Sequence, residues 1–246
     1  MKDTYTFDVF DTDIALKHAS DYAKEKFTTN LSVVLSVAFK DQKNLPTLRF
    51  KQKDEVVLKN YIKKWVDTFL KGYENRPTKR VGNKSATFPD SIVKLILSKR
   101  LPEISTETAD SIEAGHSLMM TIENIVGDLL EEYLSIKLAS EGWYCCWGST
   151  IDAVDFCKSD GSLLQVKNSD NSENSSSSRV RAGTTIEKWF RRVSTKLDTH
   201  NWAKLNTMVG RTDLSEDGFK KFVVKTIQEN PGCIFINDDL LLNSNT

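Results

Sequence analysis

Residues 150–167 read TIDAVDFCKSDGSLLQVK, and this stretch predicts two β-strands joined by a tight turn. Serine, aspartate and glycine at 159–161 form the turn, and apolar residues alternate with polar ones on both sides of it. A three-residue hairpin loop with a left-handed glycine at its last position fits this composition. The stretch therefore predicts an antiparallel hairpin in a sheet of an α/β protein.

The loop length sets the register of the hairpin. A three-residue loop places Asp155 opposite Gln165, and Ala153 opposite Lys167. A two-residue loop would shift the pairing by one residue and would put Gln165 and Lys167 among apolar side chains. The first register is therefore favoured, and it collects Asp155, Gln165 and Lys167 on one face. The opposite face is apolar and holds Val154, Phe156, Leu164 and Val166.

A helix is predicted over residues 121–139, just before the hairpin. At 100° per residue its apolar side chains form one stripe, with Glu123 and Glu132 at the two edges of that stripe. Asp128 and Glu131 are expected to point to solvent. Periodicity thus favours Glu123 or Glu132 as the helix carboxylate that reaches the sheet, and Glu123 is the expected metal ligand.

This set of side chains suits phosphodiester hydrolysis that depends on a divalent cation. Asp155, the carbonyl oxygen of Val166, the amide oxygen of Gln165 and the helix glutamate are oxygen ligands of the kind that Mg²⁺ prefers. Lys167 is expected to orient or deprotonate the attacking water and to stabilise the charged transition state. Asp152 is the alternative to Asp155, although the favoured register points it to the opposite face.

The helix glutamate followed by Asp-x9-Gln-Val-Lys resembles the core of the PD-(D/E)xK nucleases, with Gln165 where an acidic residue is usual. The segments ENIVGDLLE at 123–131 and QVKNSDNSENSSSSR at 165–179 are similar to SinI-type type II restriction endonucleases, and the resemblance covers about 70 residues from Glu123 to Arg192. The resemblance implies a mixed central sheet flanked by helices, and Mg²⁺-dependent cleavage of double-stranded DNA to 5′-phosphate ends. It also implies a homodimer, a cognate DNA methyltransferase, and a short site such as GGWCC. Two other interpretations stay open, a structure-selective DNA repair nuclease and a catalytically inactive DNA-binding protein.

Residues 168–197 are expected to read the DNA. A run of short polar residues leaves the catalytic strand and leads through Arg179 and Arg181 to a predicted helix with a Thr184-x-x-Glu187 capping box. Arginine can bridge O6 and N7 of guanine, short amide and hydroxyl side chains can pair with other base edges, and further basic residues can bind phosphates. The other DNA-binding candidates are Asn168, Ser169, Asp170, Asn171, Asn174, Ser175, Ser176, Lys188, Arg191 and Arg192.

Charge is segregated along the chain although the net charge is zero. Residues 49–100 carry 14 Lys or Arg against 5 Asp or Glu, whereas residues 101–165 carry 2 against 12. This pattern is typical either of solvated helix faces on an ordinary enzyme or of a carboxylate cluster that binds cations, flanked by basic surfaces that bind a polyanion. Residues 1–100 are predicted to be a mainly helical, basic region packed on the core, including a helix from Asp54 to Gly72. Residues 101–246 are predicted to form the nuclease core.

Composition excludes several other classes of protein. With 39% hydrophobic and 28% charged residues, the chain is typical of a globular α/β protein, and no apolar run is long enough to span a bilayer. No export signal is recognisable, so a cytoplasmic location is expected. The four cysteines and three histidines show no metal-binding spacing, which favours buried free thiols and argues against histidine-centred catalysis.

Overall fold

The computed structural model describes residues 2–5, 10–40, 48–51, 57–82, 90–170 and 185–236. Helices and strands follow one another in a mixed order, with short 3₁₀ turns after some of the helices. In chain order they are β1 (Lys2–Tyr5), α1 (Thr12–Ala23), α2 (Thr29–Lys40), β2 (Leu48–Lys51), α3 (Leu58–Glu74), α4 (Ser91–Arg100), α5 (Thr106–Leu138), β3 (Tyr144–Cys145), β4 (Phe156–Cys157), β5 (Leu163–Ser169), β6 (Ile186–Arg192), α6 (Trp202–Val209) and α7 (Glu216–Glu229).

The central sheet has four described strands in the order β3-β4-β5-β6. Strands β3, β4 and β5 are antiparallel neighbours, whereas β5 and β6 run parallel. Strands β1 and β2 form a separate antiparallel pair. The predicted mixed α/β architecture with a helix-flanked central sheet is therefore confirmed.

One apolar core joins the N-terminal helices to the sheet. Helix α3 buries a stripe that includes Tyr61, Trp65 and Phe69, and helix α2 contacts β3 and β4. Side chains of α5 and the sheet, such as Leu134 and Phe156, belong to the same buried cluster. Burial of this continuous apolar surface fixes α5 and the strands relative to each other, which positions the site.

The bounds of α3 and α5 differ from those predicted. Helix α3 begins at Leu58 and continues to Glu74, so Gly72 lies within the helix and does not end it. A Cβ atom on Gly72 would lie 2.3 Å from the backbone nitrogen of Gly148, so the turn after β3 can approach α3 only at a glycine. Helix α5 begins fifteen residues before the predicted start, at Thr106, where the side chain of Ser105 accepts a hydrogen bond from the Thr108 N–H.

The prediction of a helix after Thr184 is wrong, because residues 186–192 form the strand β6. Pairing along β5 satisfies the backbone of this segment, and that pairing outweighs the local helical pattern. A helix continued from Thr184 would place Leu197 on its apolar side, whereas Leu197 is 92% exposed. Thr184 itself lies outside the described residues.

The cysteines and the hydropathy of the helices agree with expectation. Cys145, Cys146, Cys157 and Cys233 are all free and buried, as predicted. Across the described ranges, none of the helices combines the length and the apolar character needed to cross a bilayer.

Candidate active site

The β4–β5 hairpin has the predicted register over its strands. Phe156 pairs with Leu164, Gly161 closes the three-residue loop with a φ of +92°, and the predicted apolar face is buried. The expected pairing of Ala153 with Lys167 is wrong. Ala153 adopts a φ of +61° in a turn, so β4 starts only at Phe156.

Asp155 lies at the start of this hairpin and is held on three sides. Its backbone N–H donates to the carbonyl of Leu164 at 3.0 Å, and its carbonyl accepts from the Cys146 N–H at 2.8 Å. Its carboxylate Oδ2 accepts from the Val166 N–H at 2.7 Å. Burial raises the pKa of Asp155 to about 6, although the Val166 hydrogen bond and Lys167 act in the opposite direction. The carboxylate is therefore fixed in place and short of compensating positive charge.

Gln165 supplies an unpartnered oxygen beside Asp155. It is 3% exposed, and its Oε1 has no hydrogen-bond partner among the described residues. A buried acceptor without a donor is costly, and a cation or an ordered water would satisfy it. In the described part of the chain, no three His, Cys, Asp or Glu side chains form a metal cluster.

Glu131 of α5 is the helix glutamate that approaches Asp155. Burial and the carboxylates of Asp155 and Asp128 raise the pKa of Glu131 well above its ordinary value, while Lys167 lowers it. The expectation that Glu131 points to solvent is therefore wrong. The helical wheel assumed a helix covered on one side, but α5 contacts β3, β5 and α7, so its faces are covered on more than one side.

Glu132 has a different environment from the one predicted. It is 2% exposed, and its carboxylate accepts hydrogen bonds from the N–H of Thr78, at 3.0 Å, and from the Thr78 hydroxyl. The Nε of Arg76 lies 3.3 Å from the same carboxylate. Glu132 thus anchors the segment after α3. The predicted ligand Glu123 is exposed and lies about 12 Å from Glu131 along the helix axis, so neither joins Asp155.

Strand register places three basic residues on the face that carries Asp155. Gln165 pairs with Lys188, Lys167 with Phe190 and Ser169 with Arg192. Because paired residues of neighbouring strands point to the same side, Lys167, Lys188 and Arg192 share this face. Lys188 and Arg192 are exposed, as a phosphate-binding role requires.

Arg191 lies on the opposite face and is not free for phosphate, contrary to prediction. It is 9% exposed, its NH1 lies 2.6 Å from Glu216 Oε1, and its Nε donates to Asn168 Oδ1 at 2.9 Å. The indole of Trp202 also donates to Glu216, at 2.9 Å. Burial opposes the charge of Glu216, but Trp202 and Arg191 outweigh it and lower the pKa. Asn168 and Arg191 therefore join β5 and β6 to α7.

Replacing Glu216 by alanine is expected to destabilise the protein by about 2–4 kcal/mol, because it leaves Arg191 buried without its counter-charge. Denaturant unfolding measures the change. The matched control on the same helix is Glu229→Ala, which removes only an exposed pair with Lys225 and should alter stability by about 0.5 kcal/mol or less. Equal effects of the two variants would contradict the structural role of Glu216.

The segment expected to read the DNA is described only at its ends. Asp170 accepts a hydrogen bond from the Ser194 N–H at 2.7 Å, and that bond lowers its pKa. Ser169 ends β5 on the face that carries the basic residues. The remaining candidates lie outside the described residues, and these are Asn171, Asn174, Ser175, Ser176, Arg179 and Arg181.

Comparison with known proteins places the chain in one family. The SinI restriction endonuclease family model matches residues 12–229. The chain is 36% identical over 217 residues to the type II restriction enzyme SinI of Salmonella infantis, a match that covers 85% of this chain and 94% of SinI. It is 46% identical over 142 residues to the type II restriction enzyme Eco47I of Escherichia coli, covering 56% of this chain and 61% of Eco47I. The chain therefore belongs to the SinI restriction endonuclease family, and its enzyme class is that of a type II site-specific endonuclease.

Proposed function

We propose that the chain cleaves both strands of double-stranded DNA at a specific site, by hydrolysis that requires Mg²⁺. The observation that carries this proposal is the convergence of Glu131, Asp155 and the unpartnered Gln165 oxygen beside Lys167. Asp155 and Glu131 are half-buried. Two carboxylates close together in such a site repel each other, and a divalent cation between them would relieve the repulsion.

The donor set fits a hard divalent cation. Asp155, Glu131, the Gln165 Oε1 and the carbonyl oxygen of Val166 are all oxygen ligands. The two carboxylates share Lys167 as a nearby positive charge, and the Gln165 Oε1 has no hydrogen-bond partner among the described residues. When bound, the cation would neutralise charge on the scissile phosphate and acidify a water molecule. The Val166 N–H keeps Asp155 oriented toward this position.

Lys167 is the proposed catalytic cation of the chain itself. It follows Val166 on β5 and interacts electrostatically with both carboxylates, so its ammonium group lies near the position proposed for the phosphate. From there it holds the attacking water for in-line attack and stabilises the extra negative charge on the phosphoryl oxygens. The 3′-oxygen leaves and the phosphate stays on the 5′ end.

Binding and sequence recognition are assigned to the basic face and the segment that follows it. Lys188 and Arg192 are proposed to contact phosphates beside the scissile bond, because they share the face of Lys167. Arg179 and Arg181, with the polar residues of 168–178, are proposed to read base edges, with GGWCC as the proposed site. A homodimer and a cognate DNA methyltransferase complete the proposed system, since two strands of a two-fold site require two centres.

Plasmid digestion tests the proposal. Purified protein with Mg²⁺ should convert plasmid DNA to discrete fragments, whose sequenced ends share one short two-fold motif and carry 5′-phosphates that DNA ligase accepts. EDTA should abolish the reaction. Random nicking would favour a structure-selective repair nuclease, and specific binding without cleavage would favour an inactive DNA-binding protein. Either result would reject the proposed function.

A further inference from the structure

The segment that follows α3, residues 76–82, is fixed to the rest of the protein through its backbone, and we call it the strap. The side chain of Asn230, in the turn after α7, donates hydrogen bonds to the carbonyls of Pro77 and Arg80, at 2.9 Å each. The N–H of Gly82 donates to a carbonyl of the same turn at 2.7 Å. The position of Arg80 is therefore set by contacts that do not involve its guanidinium group.

The strap carries a concentration of positive charge. Three of its seven residues are basic and none is acidic. The guanidinium of Arg76 is held internally, because it lies 3.9 Å from the centre of the Tyr73 ring and its Nε lies 3.3 Å from Glu132. Lys79 is exposed. The third basic residue, Arg80, donates from its Nη1 to the carboxylate of Asp128 on α5.

Asp128 brings Arg80 to the edge of the candidate active site. At about 100° per residue, Asp128 lies between Glu131 and Glu132 around α5, about 60° from the first and about 40° from the second. Glu132 faces the strap and Glu131 approaches Asp155. The carboxylate of Asp128 also interacts with that of Glu131, which lies about 4.5 Å further along the helix axis. The Arg80 guanidinium therefore lies beside the carboxylates proposed to bind the cation.

The guanidinium of Arg80 has donors available for a second anion. A guanidinium carries five N–H donors in one plane, and it binds carboxylates and phosphates in the same geometry. Within the described residues, only the Nη1 of Arg80 has a side-chain partner. The side chains of Arg80 and Asp128 are 18% and 45% exposed, so the pair lies where an anion in solution can reach it. An anion can therefore bind the Nε and Nη2 edge while Asp128 keeps Nη1.

A cation at this position also answers an electrostatic need. Without Arg80, the carboxylate of Asp128 would add a third negative charge next to Glu131 and Asp155, where a DNA phosphate has to approach. Arg80 neutralises that charge, and its remaining donors make the position attractive to a phosphate. It does so from the strap, whereas Lys188 is carried by the sheet.

We propose that Arg80 binds a phosphate of the DNA backbone next to the scissile one, and that Asp128 holds its guanidinium in place before DNA binds. The inference rests on the proposed function in one respect, because it takes DNA as the polyanion. A backbone contact carries no sequence information. The contribution of Arg80 should therefore be the same for every duplex.

Fluorescence anisotropy tests this contact with two labelled duplexes, one that contains GGWCC and one of equal length and composition that lacks it. EDTA in the buffer prevents cleavage. Arg80→Ala should weaken binding to both duplexes by about tenfold. It should also reduce the slope of log K against log salt concentration by about 0.9, the value for one phosphate contact. Arg80→Gln, which keeps a donor for Asp128, should give the same reduction with unchanged circular dichroism.

Arg76→Ala is the matched control, because it removes an arginine of the same strap whose guanidinium is held by Tyr73 and Glu132. It should lower stability and leave the salt slope unchanged. A second comparison uses Asp128→Asn as the background, where Arg80 has no charge to neutralise. Arg80→Ala should still reduce the slope by about 0.9 in this background.

Three results would overturn the phosphate contact. The first is a wild-type salt slope in Arg80→Ala and Arg80→Gln, and the second is an equal decrease in Arg76→Ala. The third is a double variant that binds both duplexes as Asp128→Asn alone does, because Arg80 would then only neutralise Asp128.

Plasmid cleavage by the wild-type protein separates this inference from the proposed function. Cleavage at specific sites together with a salt slope that does not depend on Arg80 would keep the function and reject the contact. A slope that depends on Arg80, in a protein that cuts no DNA, would reject the function and keep the contact. A wild-type protein that binds neither duplex would reject both.

Discussion

Asp155→Asn is expected to reduce Mg²⁺-dependent DNA cleavage by about 10³-fold or more, because the bound cation contributes several kcal/mol to the transition state. Asparagine keeps the side-chain oxygen that accepts from the Val166 N–H, so the local backbone should persist. Single-turnover cleavage of a plasmid at saturating protein measures the chemical step directly. Electrophoretic mobility-shift assays should show that the Asp155→Asn variant still binds DNA.

The same substitution is expected to raise stability in the absence of a divalent cation. Burial raises the pKa of Asp155 from 3.8 to about 6, so the ionised form opposes folding at neutral pH. This cost is absent below about pH 4 and is complete above about pH 6, and its removal is worth about 1–3 kcal/mol. Chemical unfolding at pH 7 and at pH 4 should show a gain only at the higher pH.

The neighbouring carboxylate provides the matched control. Asp152→Asn changes an acidic residue of the same turn, and it should keep most of the cleavage activity because the Val166 N–H orients the carboxylate of Asp155. Cleavage by Asp155→Asn at the wild-type rate would remove Asp155 from the metal site. A loss of cleavage in Asp152→Asn but not in Asp155→Asn would assign the role of metal ligand to Asp152.

Glu131→Gln should be the second most damaging change for cleavage, with a loss of about 10²-fold or more. Its carboxylate is the described acidic group of α5 that interacts with both Asp155 and Lys167. Glutamine preserves the size of the side chain but removes the charge that a cation needs. The Mg²⁺ concentration for half-maximal cleavage should rise, which a purely structural role would not cause.

Glu123 and Glu132 of α5 serve as controls, because they separate the proposed role of Glu131 in cation binding from general effects on the protein. Glu123→Gln should leave cleavage unchanged, because Glu123 is exposed. Glu132→Gln should lower stability by about 1–3 kcal/mol through weaker contacts with Arg76 and Thr78, yet it should retain Mg²⁺-dependent cleavage at low temperature. Full activity of Glu131→Gln, or its loss in Glu123→Gln, would contradict the assignment.

The sequence predicted the hairpin because its determinants are local. The glycine at 161 and the alternation of apolar and polar residues set the register of Phe156 against Leu164, and that register brings Asp155 and Gln165 together. The family resemblance added the mixed sheet and the enzyme class. Both were confirmed by the fold and the family match.

The elements that sequence analysis missed depend on contacts between distant segments. The choice of Glu131 over Glu132 depends on which elements surround α5, and the segment after α3 that binds Glu132 lies more than fifty residues earlier in the chain. Strand β6 depends likewise on pairing with β5. Trp189 and Arg191 are buried while Lys188 and Arg192 are exposed, which is the alternation of a strand, but the same residues also fit a helical pattern. No pattern in the sequence indicates that the pKa of Glu131 is raised, since that shift depends on its burial and on Asp155 nearby.

Helix α5 is unbroken for 33 residues, and this continuity fixes the distances between the residues along it. Gly115 and Glu131 are sixteen residues apart, so the helix separates them by about 24 Å along its axis. Each residue inserted between them would advance the carboxylate by about 1.5 Å and turn it by about 100°. The position of Glu131 relative to α4, which packs on α5, therefore depends on the exact number of residues in this one helix.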